Sequence, residues 1–176
     1  MPADVAVVIV MGVAGSGKTT VGTALAAALG WRFVDADDQH SPASIAKMAR
    51  GEALDDADRW PWLDRLRAII DGALVGASAG ESRLVLACSA LKASYRARLA
   101  GGDAGPRVRF VYLAGTAELF HARLAGRAGH FMKAGMLDSQ FAALEPPADA
   151  ITVDAARPVA QIVAQIVSDV RAPIAS

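Results

Sequence analysis

Residues Gly12-Val13-Ala14-Gly15-Ser16-Gly17-Lys18-Thr19 fit the pattern G-x-x-x-x-G-K-[ST]. The chemistry of that pattern is phosphate binding. Its glycines let the backbone curl so that successive N–H groups point inward at phosphate oxygens. Lys18 places a point charge on the β- and γ-phosphates of a nucleotide, the Thr19 hydroxyl is a ligand for Mg²⁺, and the helix that begins here adds its N-terminal dipole. Downstream lie two acids, Asp35 and Asp37. Carboxylates spaced i, i+2 on an extended segment point the same way. One can hold a Mg²⁺-bound water while the other accepts a proton from an acceptor hydroxyl. Arg123 and Arg127, four apart, share a helix face at the entry to a glycine-containing segment. They are candidates to bind phosphate and to neutralise charge on a transferring phosphoryl group from a lid. From Arg127 to Ser139 few apolar anchors are visible, so that segment is expected to order on nucleotide binding.

Other chemistries are excluded by what is missing. The D-x-x-G and N/T-K-x-D motifs of a GTPase do not occur. A motor or AAA-type ATPase would carry an acid at the end of a strand such as Arg83 to Cys88, where this chain has Cys88-Ser89. The layout is instead that of a small-molecule kinase. Three scattered histidines and one cysteine offer no zinc spacing. Basic and acidic residues balance at 18 each, so nothing favours a nucleic-acid or membrane-surface partner. Cys88 has no disulfide partner, and the apolar run Val5 to Met11 is too short for a bilayer and lacks a basic region before it. The expected compartment is the cytoplasm.

Val5 to Met11 reads as a strand covered on both faces. Further strands are expected at Trp31–Val34, Arg83–Cys88, Arg107–Leu113 and Ala150–Val153, and helices at Val21–Leu29, Ser41–Arg50, Pro61–Val75, Lys92–Leu99, Thr116–Gly126 and Val159–Val170. Strands alternating with helices predict one α/β domain over 1–176 with a parallel sheet. Two insertions leave it near the carboxyl ends of strands, where such sheets bind ligands: about 38–60 and about 127–147. Trp60 and Trp62 are expected to be packing anchors.

Several pieces in order resemble the gluconate kinases, a branch of the P-loop kinases related to shikimate and adenylate kinases. These are MGVAGSGKT, FVDADDQH, IAKM, GEALDDADRWPWL, CSALKASYR and RAGHFMKAGMLDSQFAALEPP, and the resemblance runs from about Val8 to Pro146. The resemblance implies a three-layer fold with a five-stranded parallel sheet and a lid, ATP and Mg²⁺ as cosubstrate and ion, and a homodimer. It implies phosphorylation of D-gluconate to 6-phosphogluconate, with Gly12 to Thr19 on the triphosphate and Lys18, Asp37 and Arg127 as the catalytic groups. Asp37 would orient or deprotonate the 6-hydroxyl and Asp35 would sit with Thr19 near the metal. Arg59 and Lys92 would meet the gluconate carboxylate and hydroxyls, with His40 and Arg96 behind them and His130 reaching in from the lid. Arg123 and Arg127 would serve the lid. Ser41 and Ser44 stand where the family commonly has Pro and Asn. Two rivals remain: another small-acceptor kinase and a non-catalytic nucleotide sensor. A shikimate kinase would show a glycine triplet where this chain has Cys88-Ser89-Ala90-Leu91, and a sensor has no need of an acceptor base.

Overall fold

The apolar run near the start forms strand β1 (Val7–Met11), and every residue of it is buried. A strand covered on both faces needs no polar alternation, which is why its sequence shows none. The computed structural model describes residues 4–81, 83–127 and 134–172. Within them β1 is the middle strand of a five-stranded sheet that also contains β2 (Arg32–Asp35), β3 (Leu84–Ala87), β4 (Val108–Ala114) and β5 (Ile151–Asp154), in the order β2-β3-β1-β4-β5. All pairings are parallel, with Ile9 opposite Leu86 on one side and Phe110 on the other.

Helices α1 (Lys18–Leu29), α2 (Pro42–Ala49), α3 (Asp56–Ser78), α4 (Ala93–Ala100), α5 (Ala117–Ala125), α6 (Ala134–Ala143) and α7 (Val159–Arg171) complete the described chain. Successive residues of β1 feed opposite layers. Val8 and Val10 pack with Val21 and Leu25 of α1, Phe120 of α5, Leu137 of α6 and Ile162 and Ile166 of α7. Val7, Ile9 and Met11 pack with Trp62, Leu63, Leu66 and Ile70 of α3 and with Tyr95 and Leu99 of α4. The result is a three-layer α/β/α fold. Each fully buried Leu or Ile in these layers stabilises it by about 1.5–3 kcal/mol.

This topology positions the chemistry. From β1 the chain crosses to β2, beyond β3, whereas from β3 it crosses to β4 on the other side of β1. Such a switch of direction opens a crevice outside the carboxyl ends of the strands. The glycine loop after β1, the acids after β2 and Cys88-Ser89 after β3 all emerge there.

Three expectations need correction. The long helix starts at Asp56, five residues before Pro61, because Asp55 and Asp58 form a capping box: Asp58 N–H donates to Asp55 at 2.8 Å and Asp55 N–H donates to Asp58 at 3.0 Å. Pro61 therefore sits inside the first turns and not at the first position. Secondly, the acids do not share an extended segment. β2 ends at Asp35, and Ala36–Gln39 is a 3-10 turn that Asp35 itself caps by accepting the Asp37 N–H at 3.0 Å. Finally, the segment before Ser139 is not poor in anchors from Ala134 onward. It is helix α6, whose Leu137 is fully buried in the core; just beyond the segment, the Phe141 ring lies 6.0 Å from that of Phe120.

Candidate active site

The phosphate loop owes its shape to residues that only glycine tolerates. Gly15 has φ +79°, and a Cβ there would meet the Phe120 carbonyl at 2.9 Å. Gly17 has φ +96° and precedes α1, whose first turn has neither a side-chain cap nor an acidic residue. Its leading N–H groups and dipole are thus left for an anion. Ala14, Gly15, Gly17, Lys18 and Thr19 line a cleft of about 1130 Å³. Gly12, Val13 and Ser16 are buried and do not line it. The Lys18 ammonium donates to the Val13 carbonyl at 3.1 Å. Burial pulls its pKa below the ordinary lysine value, against the opposing pull of Asp37, Cys88 and Asp35. An incoming polyphosphate would supply the negative charge this ammonium lacks.

Thr19 Oγ1 donates to Asp35 Oδ2 at 2.6 Å, and both line the cleft. Thr19 and one Asp35 oxygen thus form a compact oxygen pair at the foot of the loop. Among the described residues no three His, Cys, Asp or Glu gather into a metal cluster. That donor set fits Mg²⁺, which takes one or two protein oxygens together with phosphate and water. Asp37 also lines the cleft, with a side chain that is 84% exposed and so free to meet a substrate. His40 Nε2 stands 3.9 Å from it. The His40 ring stacks on Trp62 at 4.5 Å, and its Nδ1 is buried without a partner among the described residues. Burial lowers the His40 pKa more than Asp37 raises it, and Arg59 and Arg65 lower it further, so the ring is neutral at neutral pH. Trp62 is the expected packing anchor, donating from Nε1 to the Ala36 carbonyl at 2.7 Å and so fixing the turn that carries Asp37. Trp60 is partly exposed, edge-on to Tyr95.

Two further cations, Arg59 and Lys92, line the cleft beside Asp55 and Asp56. Arg59 and Lys92 lie 5.8 Å and 5.4 Å from the Tyr95 ring centroid. Asp56 accepts from Lys92 at 3.1 Å and from the Tyr95 hydroxyl, and those two bonds hold its pKa down. α3 and α4 place these groups, since Asp56 and Arg59 fall in the first turn of one and Lys92 caps the other.

Not every expected residue arrives. Arg127 lines the cleft. Arg123 does not; its guanidinium donates to Ala155 O at 2.6 Å and Ser16 O at 3.4 Å, tying the phosphate loop to the turn after β5. Arg96 is not brought to the cleft either. It donates to the carbonyls of Ala90 at 2.9 Å, Leu91 at 3.0 Å and Glu145 at 2.8 Å, and is 9% exposed. Ala90 has φ +45°, so this guanidinium steadies a strained turn leading to Lys92. His130 lies outside the described residues. His121 pairs with Asp138 at 3.1 Å, joining α5 to α6. Cys88 is buried and its pKa is pushed up to about 12, which makes it an inert thiol. Sequence reasoning missed Asp56, Tyr95 and Gln140, all of which line the cleft. All three stand in quoted pieces, GEALDDADRWPWL, CSALKASYR and RAGHFMKAGMLDSQFAALEPP, which was the available signal.

Among the described residues no helix is long and apolar enough to cross a membrane. A protein-family model described as an AAA domain matches residues 7–147. The acid expected of an AAA-type motor at the end of β3 is still Cys88-Ser89 here. The chain is 46% identical over 156 residues to a probable gluconokinase of Mus musculus, covering 80% of this chain and 83% of that one. The crystal structure of a gluconokinase from Sinorhizobium meliloti 1021 is similar with a TM-score of 0.77 and 38% identity, covering 97% of this chain and 93% of that one. A shikimate kinase from Acinetobacter baumannii shares the fold alone, at TM-score 0.52 and 21% identity over 96% of each chain. With its phosphate loop in an AAA-domain match and its length matched by these relatives, the chain belongs to the gluconokinase family of P-loop kinases.

Proposed function

We propose that this protein transfers the γ-phosphoryl group of ATP to the 6-hydroxyl of D-gluconate, giving 6-phospho-D-gluconate and ADP. The observation that carries this reading is that one cleft is lined by the phosphate loop, by the exposed carboxylate of Asp37 and by the cations Arg59 and Lys92. A sugar acid has the matching groups: a hydroxyl to be phosphorylated and a carboxylate for the cations.

The loop N–H groups, the start of α1 and Lys18 bind the triphosphate. Arg59 and Lys92 bind the gluconate carboxylate, with His40 beside the chain hydroxyls, and so bring the 6-hydroxyl to Asp37. As the bond from that oxygen to the γ-phosphorus forms, Asp37 accepts the hydroxyl proton, and the bond to the β–γ bridging oxygen breaks to release ADP. Lys18 and Arg127 stabilise the charge spread over the transferring group. Thr19 and Asp35 would hold Mg²⁺, which neutralises phosphate charge when bound. Residues of about 38–60 serve as the acceptor-binding insertion within one kinase domain. Of the lid expected at about 127–147, α6 is docked in the core through Leu137, which leaves the lid role to the residues before it. A homodimer acting in the cytoplasm completes the proposal.

The test is ADP release by the purified protein with ATP and Mg²⁺, comparing gluconate, shikimate, a nucleoside monophosphate and no acceptor. Turnover that depends on gluconate supports the reading. Dependence on either other acceptor overturns it in favour of a different kinase, and nucleotide binding without turnover in any arm overturns it in favour of a sensor.

A further inference from the structure

Helix α6 sets the carboxamide of Gln140 against the phosphate loop, where the Ala14 N–H donates to Gln140 Oε1 at 2.7 Å. Because the donor is a backbone N–H, only the carbonyl oxygen of the amide can face it, and the NH₂ is forced to be the other arm. That NH₂ has two donors and no protein partner among the described residues. Gln140 lines the cleft together with Lys18 and Arg127. Its backbone is held firmly. Leu137, one turn earlier, is fully buried, Phe141 stacks near Phe120, and Glu145 just beyond the helix donates its N–H to the Leu91 carbonyl at 2.9 Å.

We propose that Gln140 is a phosphate-contacting catalytic residue, whose carbonyl holds the loop at Ala14 and whose NH₂ donates to the terminal phosphoryl group of the bound nucleoside triphosphate. One loop donor is spent on the side chain, and the side chain returns two donors on the cleft side. A neutral amide does both tasks. A carboxylate could accept from Ala14 equally well, yet would present a negative charge and no donor to phosphate. The inference deepens the kinase reading above and rests on its nucleotide half, not on the identity of the acceptor.

The test measures the affinity of the full-length protein for a β,γ-imido ATP analogue and for ADP, each with Mg²⁺, in the wild type, Gln140→Ala and Gln140→Glu. Melting temperature is recorded for all three. The expected result is that Gln140→Ala weakens triphosphate binding about tenfold relative to ADP. Gln140→Glu should weaken it further, while ADP affinity stays within about threefold, since a lost donor to a charged group acts only where that group is present. If Gln140→Ala fails to fold, Gln140→Glu decides alone, because it keeps the acceptor for Ala14. Wild-type triphosphate preference in Gln140→Glu reduces Gln140 to a loop clamp and overturns the proposal. Equal loss of both nucleotides overturns it as well. No acceptor is present, so these outcomes are independent of whether gluconate is the substrate.

Discussion

Replacing Arg96 by alanine separates a framework role from an acceptor-binding one. In the folded protein its guanidinium satisfies the carbonyls of Ala90, Leu91 and Glu145. Leu91 O keeps a second donor, the Glu145 N–H at 2.9 Å, so the substitution orphans two carbonyls and not three. Each buried acceptor left unsatisfied costs about 1–3 kcal/mol. Water entering at this nearly buried site offsets part of that, which leaves a loss of about 3 kcal/mol. For a chain of this size each kcal/mol lowers the melting temperature by about 2–4 °C, so the expected drop is about 6–12 °C. Arg96→Lys should recover little of it, since one ammonium cannot span carbonyls on two segments. The assay is a thermal melt of the purified variants, followed by KM for gluconate at a temperature where both are folded. A melting temperature within about 2 °C of wild type, with gluconate KM raised about tenfold or more, would refute the framework role.

Three shorter predictions follow from the same geometry. Asp37→Asn should lower kcat by about 10²-fold or more with ATP-analogue affinity almost unchanged, because a proton acceptor acts in the transition state; lost nucleotide affinity with normal turnover would move Asp37 to the metal side. Leu137→Ala should destabilise the fold by about 2–5 kcal/mol in denaturant titration, since its side chain is fully buried between α6 and the sheet, and a neutral result would contradict the docking of α6. His40 has a folded pKa below the ordinary 6.5, pushed down by burial first and by Arg59 and Arg65, with Asp37 opposing. Its contribution is therefore full above about pH 6.5 and is lost as pH falls below that value toward the folded pKa, because the unfolded chain takes up the proton first. His40→Phe keeps a ring on Trp62 but cannot titrate, so its melting temperature should fall less than wild type between pH 7.5 and 5.5; parallel slopes would contradict the assignment.

The sequence made the sheet and the phosphate loop legible for physical reasons. A strand covered on both faces must be apolar throughout, as Val7 to Met11 is, and a loop that bends its backbone around phosphate must carry glycines where Gly15 and Gly17 stand. Helix boundaries were less legible where two signals competed. Pro61 is a good first residue of a helix, but the reciprocal caps of Asp55 and Asp58 won. The pairing of Asp35 with Asp37 was found for a reason that does not hold. The acids converge because Asp35 caps a 3-10 turn, not because a strand continues. Arg96 shows the limit of residue type as evidence, since an arginine in a binding-site motif satisfies backbone carbonyls as readily as a ligand. Nothing in spacing alone distinguishes the two. Gln140 was within a quoted piece, yet its contact with Ala14 joins residues 126 apart and exists only once α6 packs on Phe120.

The central claim is transfer of one phosphoryl group from ATP to one hydroxyl of gluconate, and phosphorus NMR of the reaction mixture tests it most directly. The expected spectrum gains a phosphomonoester signal coupled to the two protons of a single CH₂ group, the C6 methylene, in equal amount to the ADP formed. Free inorganic phosphate with no ester, or an ester coupled to a CH proton of the chain, would contradict it.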